Sequence, residues 1–271
     1  MEMHSRVSFV SHGAPLDVLR SEVMQAWGSW AAQRWPQKPE AVLCISAHWV
    51  TPQPTVGTTR SEELIYDFYG FPDELYRLQY PAPAATDTAG LLKQLPSPEL
   101  QAKDRGWDHG VWVPLMGMFP DASVPVLQLS LPAISADELF AFGRNLGNWL
   151  RENPGIWLLT SGGMTHNLGA IDMSERMEVP EPMREFENTI RSYLESWNMD
   201  SLIDYQRLPT ARINHPTQEH FQPLIVAAGA AEALDHKSVQ DPVPGFAYGS
   251  ISLTGWDFVY SGRLLHTIQI S

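Results

Sequence analysis

The chain has 271 residues, of which 44% are hydrophobic and ten are tryptophan, so it is too apolar for a disordered protein. Eighteen Lys and Arg residues oppose 31 Asp and Glu residues, and the formal net charge of -13 repels phosphate backbones and anionic lipid headgroups. We therefore expect neither nucleic acid nor a membrane as a partner. The single cysteine, Cys44, lies in an apolar run and is predicted to be a buried core thiol. No targeting segment is recognised, and we expect a cytoplasmic protein.

Strand-like and helix-like patterns alternate along the chain. Apolar runs at residues 7–10, 41–46, 124–129 and 156–160 predict short strands. Apolar spacing predicts helices over residues 16–35 and 183–197, and a capping box of Ser135 and Glu138 begins another helix that runs to about Leu150. The alternation predicts an α/β fold, with one layered catalytic domain over residues 1–271 and a central mixed or mostly parallel sheet flanked by helices.

Residues 51–98 interrupt this alternation. The segment is rich in proline and contains an aromatic run from Tyr66 to Phe71. The prolines prevent long helices and strands, whereas a solvated linker would not be so aromatic. We interpret the segment as an ordered loop that packs over a functional site.

Three histidines, His12, His48 and His166, each follow a predicted strand. A single exposed histidine is most often a surface or hydrogen-bonded residue. The carboxyl ends of strands in an α/β sheet converge in space, however, and chance rarely repeats one placement three times. The pattern therefore predicts a shared metal site at the strand ends.

A fourth candidate ligand precedes a predicted helix. Pro223 lacks an amide proton and fits the first turn of a helix, which places the helix start near Glu219 and His220. Adjacent helical residues diverge by about 100°, so only one of these two side chains points at a metal, and the pattern leaves both choices open. His109 lies beside Asp108 and between two tryptophans. It is predicted to be an acid or base in a partly desolvated pocket, the alternative being a buried histidine that caps a loop.

Five segments surround these histidines. They are Ser11-His12-Gly13-Ala14-Pro15, Ser46-Ala47-His48-Trp49, Trp107-Asp108-His109-Gly110, Ser161-Gly162-Gly163-Met164-Thr165-His166-Asn167 and Pro216-Thr217-Gln218-Glu219-His220-Phe221-Gln222-Pro223. Together they resemble the class III extradiol ring-cleaving dioxygenases of the LigB superfamily, and among these the 4,5-DOPA-dioxygenase branch. Residues 65–72, 80–83 and 248–252 extend the resemblance over nearly the whole chain. Tyr66 departs from the pattern, in which a small polar residue or a histidine precedes Asp67.

The resemblance implies one divalent metal, zinc or Fe(II), with O2 as co-substrate. Better-known members of the wider class hold Fe(II) with two His and one Glu, and members of this branch are often found with zinc. The implied metal set is His12, His48, His166 and His220, and Glu219 is the alternative ligand.

The resemblance also implies roles around the substrate. His109 is expected to be a catalytic residue that faces the substrate, and His166 a second one where it is not a firm metal ligand. The residues expected to bind the substrate are Asp67, Phe68, Phe71 and Asp108.

Opening a catechol ring with O2 needs several open positions on a metal, which three protein ligands on one face leave free. The expected enzyme is therefore a metal-dependent extradiol dioxygenase that acts on a small, catechol-type aromatic diol such as DOPA. A zinc-dependent hydrolase is an alternative, because imidazole ligands with an open position also suit zinc-activated water. A non-enzymatic binding protein of the same fold is the third hypothesis.

Overall fold

A sheet with helices on both faces forms the scaffold of the protein. The computed structural model describes residues 6–58, 63–93, 95, 100–174, 178–240, 243 and 245–260. The strands within these ranges are β1 (Arg6–Ser11), β2 (Ala41–Thr51), β3 (Thr55–Gly57), β4 (Gln101–Lys103), β5 (Val126–Pro132), β6 (Ile156–Gly162), β7 (Ser238–Gln240), β8 (Phe246–Ala247), β9 (Ile251–Ser252) and β10 (Trp256–Val259). The α-helices are α1 (Ser21–Arg34), α2 (Thr86–Leu92), α3 (His109–Met118), α4 (Ala136–Glu152), α5 (Glu181–Glu195), α6 (Met199–Ile203), α7 (Ala211–Asn214) and α8 (Gln222–Ala233).

The large sheet has the strand order β4-β3-β5-β2-β6-β1-β10-β7. Its central strands β5, β2, β6 and β1 run parallel to one another. Strands β10 and β3 are antiparallel to their central neighbours, so the sheet is mixed and mostly parallel. This confirms the predicted α/β fold. The carboxyl ends of β1, β2 and β6 lie at one edge of the sheet, where ligands of such folds gather. The extent of the catalytic domain, residues 1–271, stays a prediction.

The two faces of the sheet are covered by different helices. Helices α4, α5 and α8 pack on the face that carries Phe9 and Leu43, and α1 and α3 pack on the face that carries Val42 and Trp157. Successive strand residues alternate between these faces, and both are apolar because both are covered. Cys44 is fully buried on the face that α1 and α3 cover, as predicted. Among the described residues, no helix combines the length and apolarity needed to cross a bilayer.

Several predicted elements are present with shifted ends. Helix α4 begins with the predicted capping box, in which Ser135 Oγ accepts from the Glu138 amide and Glu138 accepts from the Ser135 amide. The predicted helix over residues 16–35 is a 3-10 segment, Pro15–Leu19, followed by α1. Strand β2 continues to Thr51, well past its predicted end at Ser46. Helix α3 was not predicted, because it is buried on nearly all sides and has no polar face to reveal its period.

Candidate metal centre

Two of the histidines are placed by one chain of backbone hydrogen bonds at the end of β6. The His12 amide, just after β1, donates to the Gly162 carbonyl at 3.0 Å. The next amide, of Gly163, donates to the His220 carbonyl at 2.9 Å. A side chain on Gly162 would bring its Cβ within 2.1 Å of that carbonyl oxygen. The close approach of β6 to the segment before α8 therefore requires glycine at this position.

His48 lies in an irregularity of β2 and not beyond the end of a strand. The pairing of β2 with β5 passes from Ser46 opposite Ser130 to Val50 opposite Leu131, so three extra residues loop out of β2. The His48 amide donates to Ser46 Oγ at 3.2 Å, and the Arg105 guanidinium donates to the His48 carbonyl. A bulge re-aims a side chain at the edge of a sheet, and here it turns the imidazole towards the other histidines.

Three of the predicted ligands converge through the same ring nitrogen. His48 Nε2 lies 3.1 Å from His12 Nε2 and 3.3 Å from His220 Nε2. The three residues form one group whose candidate ligand atoms all lie within 4.8 Å of one another. His12 and His220 are buried, and His48 is half-buried.

Polar contacts on the far side of each ring indicate where the ring proton is held. His220 Nδ1 lies 3.0 Å from the Glu219 carboxylate, and His48 Nδ1 lies 3.2 Å from the Asp67 carboxylate. An ionised carboxylate only accepts, so it favours a proton on Nδ1 in both rings. His12 Nδ1 contacts Ser161 Oγ at 2.9 Å, and that hydroxyl already donates to the Gly110 carbonyl, so Nδ1 of His12 is also the donor. In each neutral ring Nε2 then carries a lone pair.

The environment also keeps these rings neutral. Burial, followed by the proximity of the other histidines, holds the pKa of His12 and that of His220 well below the usual 6.5. Burial, followed by the proximity of His109, lowers the pKa of His48 to about 4. At neutral pH the three rings therefore present uncharged, metal-competent nitrogens.

The donor set fits a divalent transition metal. Lone pairs cannot hydrogen-bond to each other, whereas a cation between the three Nε2 atoms would be bound by all of them. Metal–imidazole bonds of about 2.0–2.1 Å at tetrahedral or octahedral angles place neighbouring nitrogens about 2.9–3.4 Å apart. The distances of 3.1 Å and 3.3 Å fall in that range. Imidazole donors suit zinc and Fe(II) alike.

His166 lies beside this trio but differs in orientation. Its ring stacks on His220 with centroids 3.4 Å apart and planes 6° from parallel. A metal sits in the plane of the imidazole that binds it, and one ion cannot lie in two stacked planes at once. His220 points Nε2 at His12 and His48, so the geometry favours three protein ligands, with His166 beside them. Burial lowers the pKa of His166 to about 4.

Glu219 lies behind His220, with its carboxylate on the ring nitrogen that faces away from the trio. Its carboxylate also accepts a hydrogen bond from the Thr217 hydroxyl. Of the two ligand choices that the sequence left open, the structure therefore favours His220, and Glu219 orients it. This is the usual arrangement of a metal-binding histidine and a carboxylate.

His109 occupies the first position of α3 and faces the trio without sharing its nitrogens. Its ring centroid lies 4.1 Å from that of His48 and 5.3 Å from that of His12. His109 Nδ1 lies 2.7 Å from Asp67 Oδ1, so its proton is held there and Nε2 is left as the acceptor. Phe68 packs edge-on against the ring at 5.8 Å. His109 is thus placed to accept a proton next to the metal position.

The predicted substrate-binding residues are in two environments. Phe68 and Phe71 are in edge-to-face contact on the aromatic loop, beside His109. Asp108, in contrast, is fully buried, and its carboxylate accepts from Ser46, Arg105 and Gln128. Asp108 therefore lies beneath the site, where it supports His109 and His48. It has no exposed surface that a substrate could contact.

Asp67 and its neighbour Tyr66 belong to the same loop. Burial opposes ionisation of Asp67, but hydrogen bonding to His109 and the nearby imidazoles outweigh it and lower its pKa to about 2. Tyr66, the departure from the family pattern, donates its hydroxyl to the Leu78 carbonyl at 2.6 Å. Its ring packs on Phe68 and Trp112. Within residues 51–98, the aromatic run thus packs beside His109, whereas β3 and α2 are regular elements of the scaffold, and the interpretation of the whole segment as a loop over the site stays a prediction. Residues 59–62, 94 and 96–98 of it lie outside the described ranges.

Four polar residues of the site were not predicted from the sequence. Ser161 sets the tautomer of His12, and three others hold Asp108 from below: Ser46, Arg105 and Gln128. One of them carried a signal in the sequence, because Ser161 directly precedes Gly162 and Gly163 in the motif that contains His166. Gln128 lies inside a strand of apolar residues and gave no such signal.

Comparisons with known proteins bear on this site. The family described as the catalytic LigB subunit of aromatic ring-opening dioxygenase matches residues 6–250. A protein from Beta vulgaris named 4,5-DOPA dioxygenase extradiol is 33% identical over 260 residues, which are 91% of this chain and 95% of that protein. A protein of the same name from Escherichia coli K12 is 32% identical over 253 residues, or 90% and 91% of the two chains.

A solved structure shares the fold. The crystal structure of an uncharacterized Escherichia coli K12 protein superposes with a TM-score of 0.78 at 27% identity, covering 95% of this chain and all of that one. The family match includes the five histidines of the site, and the named relatives exceed 30% identity over nine-tenths of the chain. The chain therefore belongs to the LigB family of aromatic ring-opening dioxygenases.

Proposed function

We propose that the protein is a metal-dependent extradiol dioxygenase that opens the ring of a small catechol-type substrate, DOPA or a related diol, with O2. The observation that supports this most directly is the convergence of three Nε2 lone pairs, from His12, His48 and His220, with a fourth imidazole, His109, beside them. Membership of the LigB family supports the reaction class, an oxidoreductase of the dioxygenase type. The cytoplasmic location stays a prediction.

A bound divalent metal supplies positive charge that lowers the pKa of a catechol hydroxyl and, where it is redox-active, a path for electrons from the ring to O2. His12, His48 and His220 would hold this ion through their Nε2 atoms. His109 accepts the second phenolic proton at Nε2, because its Nδ1 proton is held by Asp67. His166, stacked on His220, is the second imidazole that would be able to hold or return a proton.

The aromatic loop completes the proposed substrate site. Phe68 and Phe71 form an apolar wall next to His109, where a flat ring would pack and bulk water would be excluded. In this arrangement Asp67 and Asp108 fix the histidines, and the aromatic side chains contact the diol.

The test is anaerobic reconstitution of the metal-free protein with Fe(II) or with zinc, followed by a panel of catechols that includes DOPA. We expect catechol-dependent O2 uptake and a yellow semialdehyde product with Fe(II), and neither with zinc, because zinc has no accessible redox state. Hydrolysis of esters or amides by the zinc form, with every catechol left intact by the iron form, would replace the proposal with the hydrolase alternative. A protein that binds no stoichiometric metal would support the non-enzymatic alternative.

A further inference from the structure

Asp67 contacts two histidines of the site at once. Its Oδ1 lies 2.7 Å from His109 Nδ1 and 3.2 Å from the His109 backbone amide, and its Oδ2 lies 3.2 Å from His48 Nδ1. These three residues form one close group of potential ligand atoms. Oδ1 therefore accepts both hydrogen bonds from His109, and Oδ2 lies at ion-pair distance from His48.

The two histidines that share Asp67 have different assigned roles. His48 points Nε2 at the other two histidines of the trio, and the His109 ring lies 4.1 Å from the His48 ring, centroid to centroid, with Nε2 as its free acceptor. Each Nε2 can act as an acceptor only while the ring proton is on Nδ1. One carboxylate thus holds the Nδ1 proton of His109 by a hydrogen bond and, through its charge at 3.2 Å, favours an Nδ1 proton on His48.

The loop that supplies Asp67 is tied down on both sides. On one side the Ile65 amide donates to the Trp107 carbonyl at 2.7 Å, and the Trp107 amide donates to the Glu63 carbonyl at 3.1 Å. On the other side the Tyr66 hydroxyl donates to the Leu78 carbonyl at 2.6 Å. The backbone hydrogen bonds to Trp107 join the loop to the segment that leads into α3, and they therefore keep Asp67 close to His109.

We propose that Asp67 is a positioning residue that couples the metal ligand His48 to the proton acceptor His109, and that it does not bind the substrate. This replaces the substrate-binding role expected from the sequence. The inference rests on the metal site of the proposed function but not on the ring-opening reaction itself.

Asp67→Asn tests it, because asparagine has nearly the same shape but one acceptor oxygen. The amide group satisfies one ring N–H and turns donors towards the other ring. We expect the affinity of the full chain for Zn(II), measured by competition with a chromophoric chelator, to fall about 10–100-fold, the usual effect of losing an outer-shell partner. The ring ¹⁵N signals of the zinc-loaded protein should show a changed hydrogen bond at His48 or His109.

Asp73→Asn is the matched control, since Asp73 is an exposed residue of the same loop. It should keep wild-type zinc affinity and wild-type ring signals. Asp67→Glu keeps two acceptor oxygens and should bind zinc more tightly than Asp67→Asn. Where the Asn variant does not fold, the zinc affinity of Asp67→Glu is compared with that of the wild type.

Wild-type zinc affinity and unchanged ring signals in Asp67→Asn would overturn the proposal. A folded Asp67→Glu variant that loses the Nδ1 contacts of both His48 and His109 yet binds zinc normally would overturn it as well. A loss of affinity in Asp67→Asn together with the absence of any catechol cleavage by the wild-type iron form would leave this inference intact and reject only the reaction.

Discussion

At the scale of single residues, the placement of each ring separates the roles of the histidines. His12, His48 and His220 each contact a hydrogen-bond acceptor at Nδ1 and direct Nε2 inwards. His109 has the same tautomer but a different direction, and His166 lies parallel to His220. Residue type alone is identical in all five cases.

His12→Ala should abolish stoichiometric metal binding while the protein remains folded. The residue follows a strand and contributes a ligand nitrogen, and its removal leaves two protein nitrogens for the ion. Metal content after dialysis and the circular dichroism spectrum provide the two measurements. His236→Ala, beyond the far end of α8, serves as the control and should retain the metal. Full metal occupancy in the His12 variant would contradict the assignment.

His109→Ala should retain the metal but lose about 10²–10⁴-fold in kcat, the range expected for a positioned acid or base. His166→Ala should also retain the metal, because its ring stacks on His220 and does not converge with the trio. Metal analysis beside steady-state O2 uptake separates the two properties. Loss of the metal from the His166 variant would restore the four-histidine ligand set that the sequence suggested.

At the scale of elements, the site depends on where backbone segments come close together. The end of β6 lies against the carbonyl of His220, and α3 presents the amide of His109 to Asp67. A carboxylate at a helix N-terminus is favoured by the helix dipole, which adds to the hydrogen bonds of Asp67. The bulge in β2 positions His48, the third histidine of the proposed metal site.

Gly162→Ala should displace His220 and weaken metal binding by at least tenfold, because the new Cβ would lie 2.1 Å from a backbone oxygen that cannot move independently. Gly90→Ala is the matched control: a glycine inside α2 with open space around it, where alanine should stabilise the helix by up to about 1 kcal/mol. Zinc affinity and the melting temperature of the metal-free protein distinguish the two changes. Unaltered zinc affinity in Gly162→Ala would show that the contact does not position His220.

At the scale of the whole molecule, burying neutral imidazoles ties stability to pH. His215 is buried among Phe186, Tyr205 and Phe221, and its Nε2 donates to the Met164 carbonyl. Burial lowers the pKa of His215 from the usual 6.5 to about 4. Between these two pKa values His215 is therefore protonated in the unfolded chain and neutral in the folded chain.

The metal-free protein should lose stability as the pH falls from about 6.5 to about 4, and keep it above that window. The pKa of His215 is about 4 in the folded chain and 6.5 in the unfolded chain. Over this window His215 alone therefore lowers the free energy of unfolding by about 3 kcal/mol. Urea unfolding at a series of pH values measures the slope. His215→Gln keeps a donor near Met164 without the titration, so its slope should be shallower. A flat profile for the wild-type protein would refute the neutral, buried state.

Much of the scaffold could be predicted from local patterns. The strands at 7–10, 41–46 and 156–160 and the capping box of α4 are all present, because period and capping are short-range properties. Helix α3 and the bulge of β2 could not be predicted. The first has no polar face, and the second exists only because β5 pairs with β2 on both sides of it.

By itself, the sequence determined the α/β alternation and the presence of histidines close to the ends of predicted strands, and the family resemblance added the class of chemistry. The tertiary structure decided that His12, His48 and His220 converge, that Glu219 lies behind His220, and that His166 stacks beside it. The physical reason is that a ring's direction and tautomer are set by its hydrogen-bond partners. For His12 and His48 these partners, Ser161 and Asp67, lie far away along the chain or on another loop, and no local pattern records them.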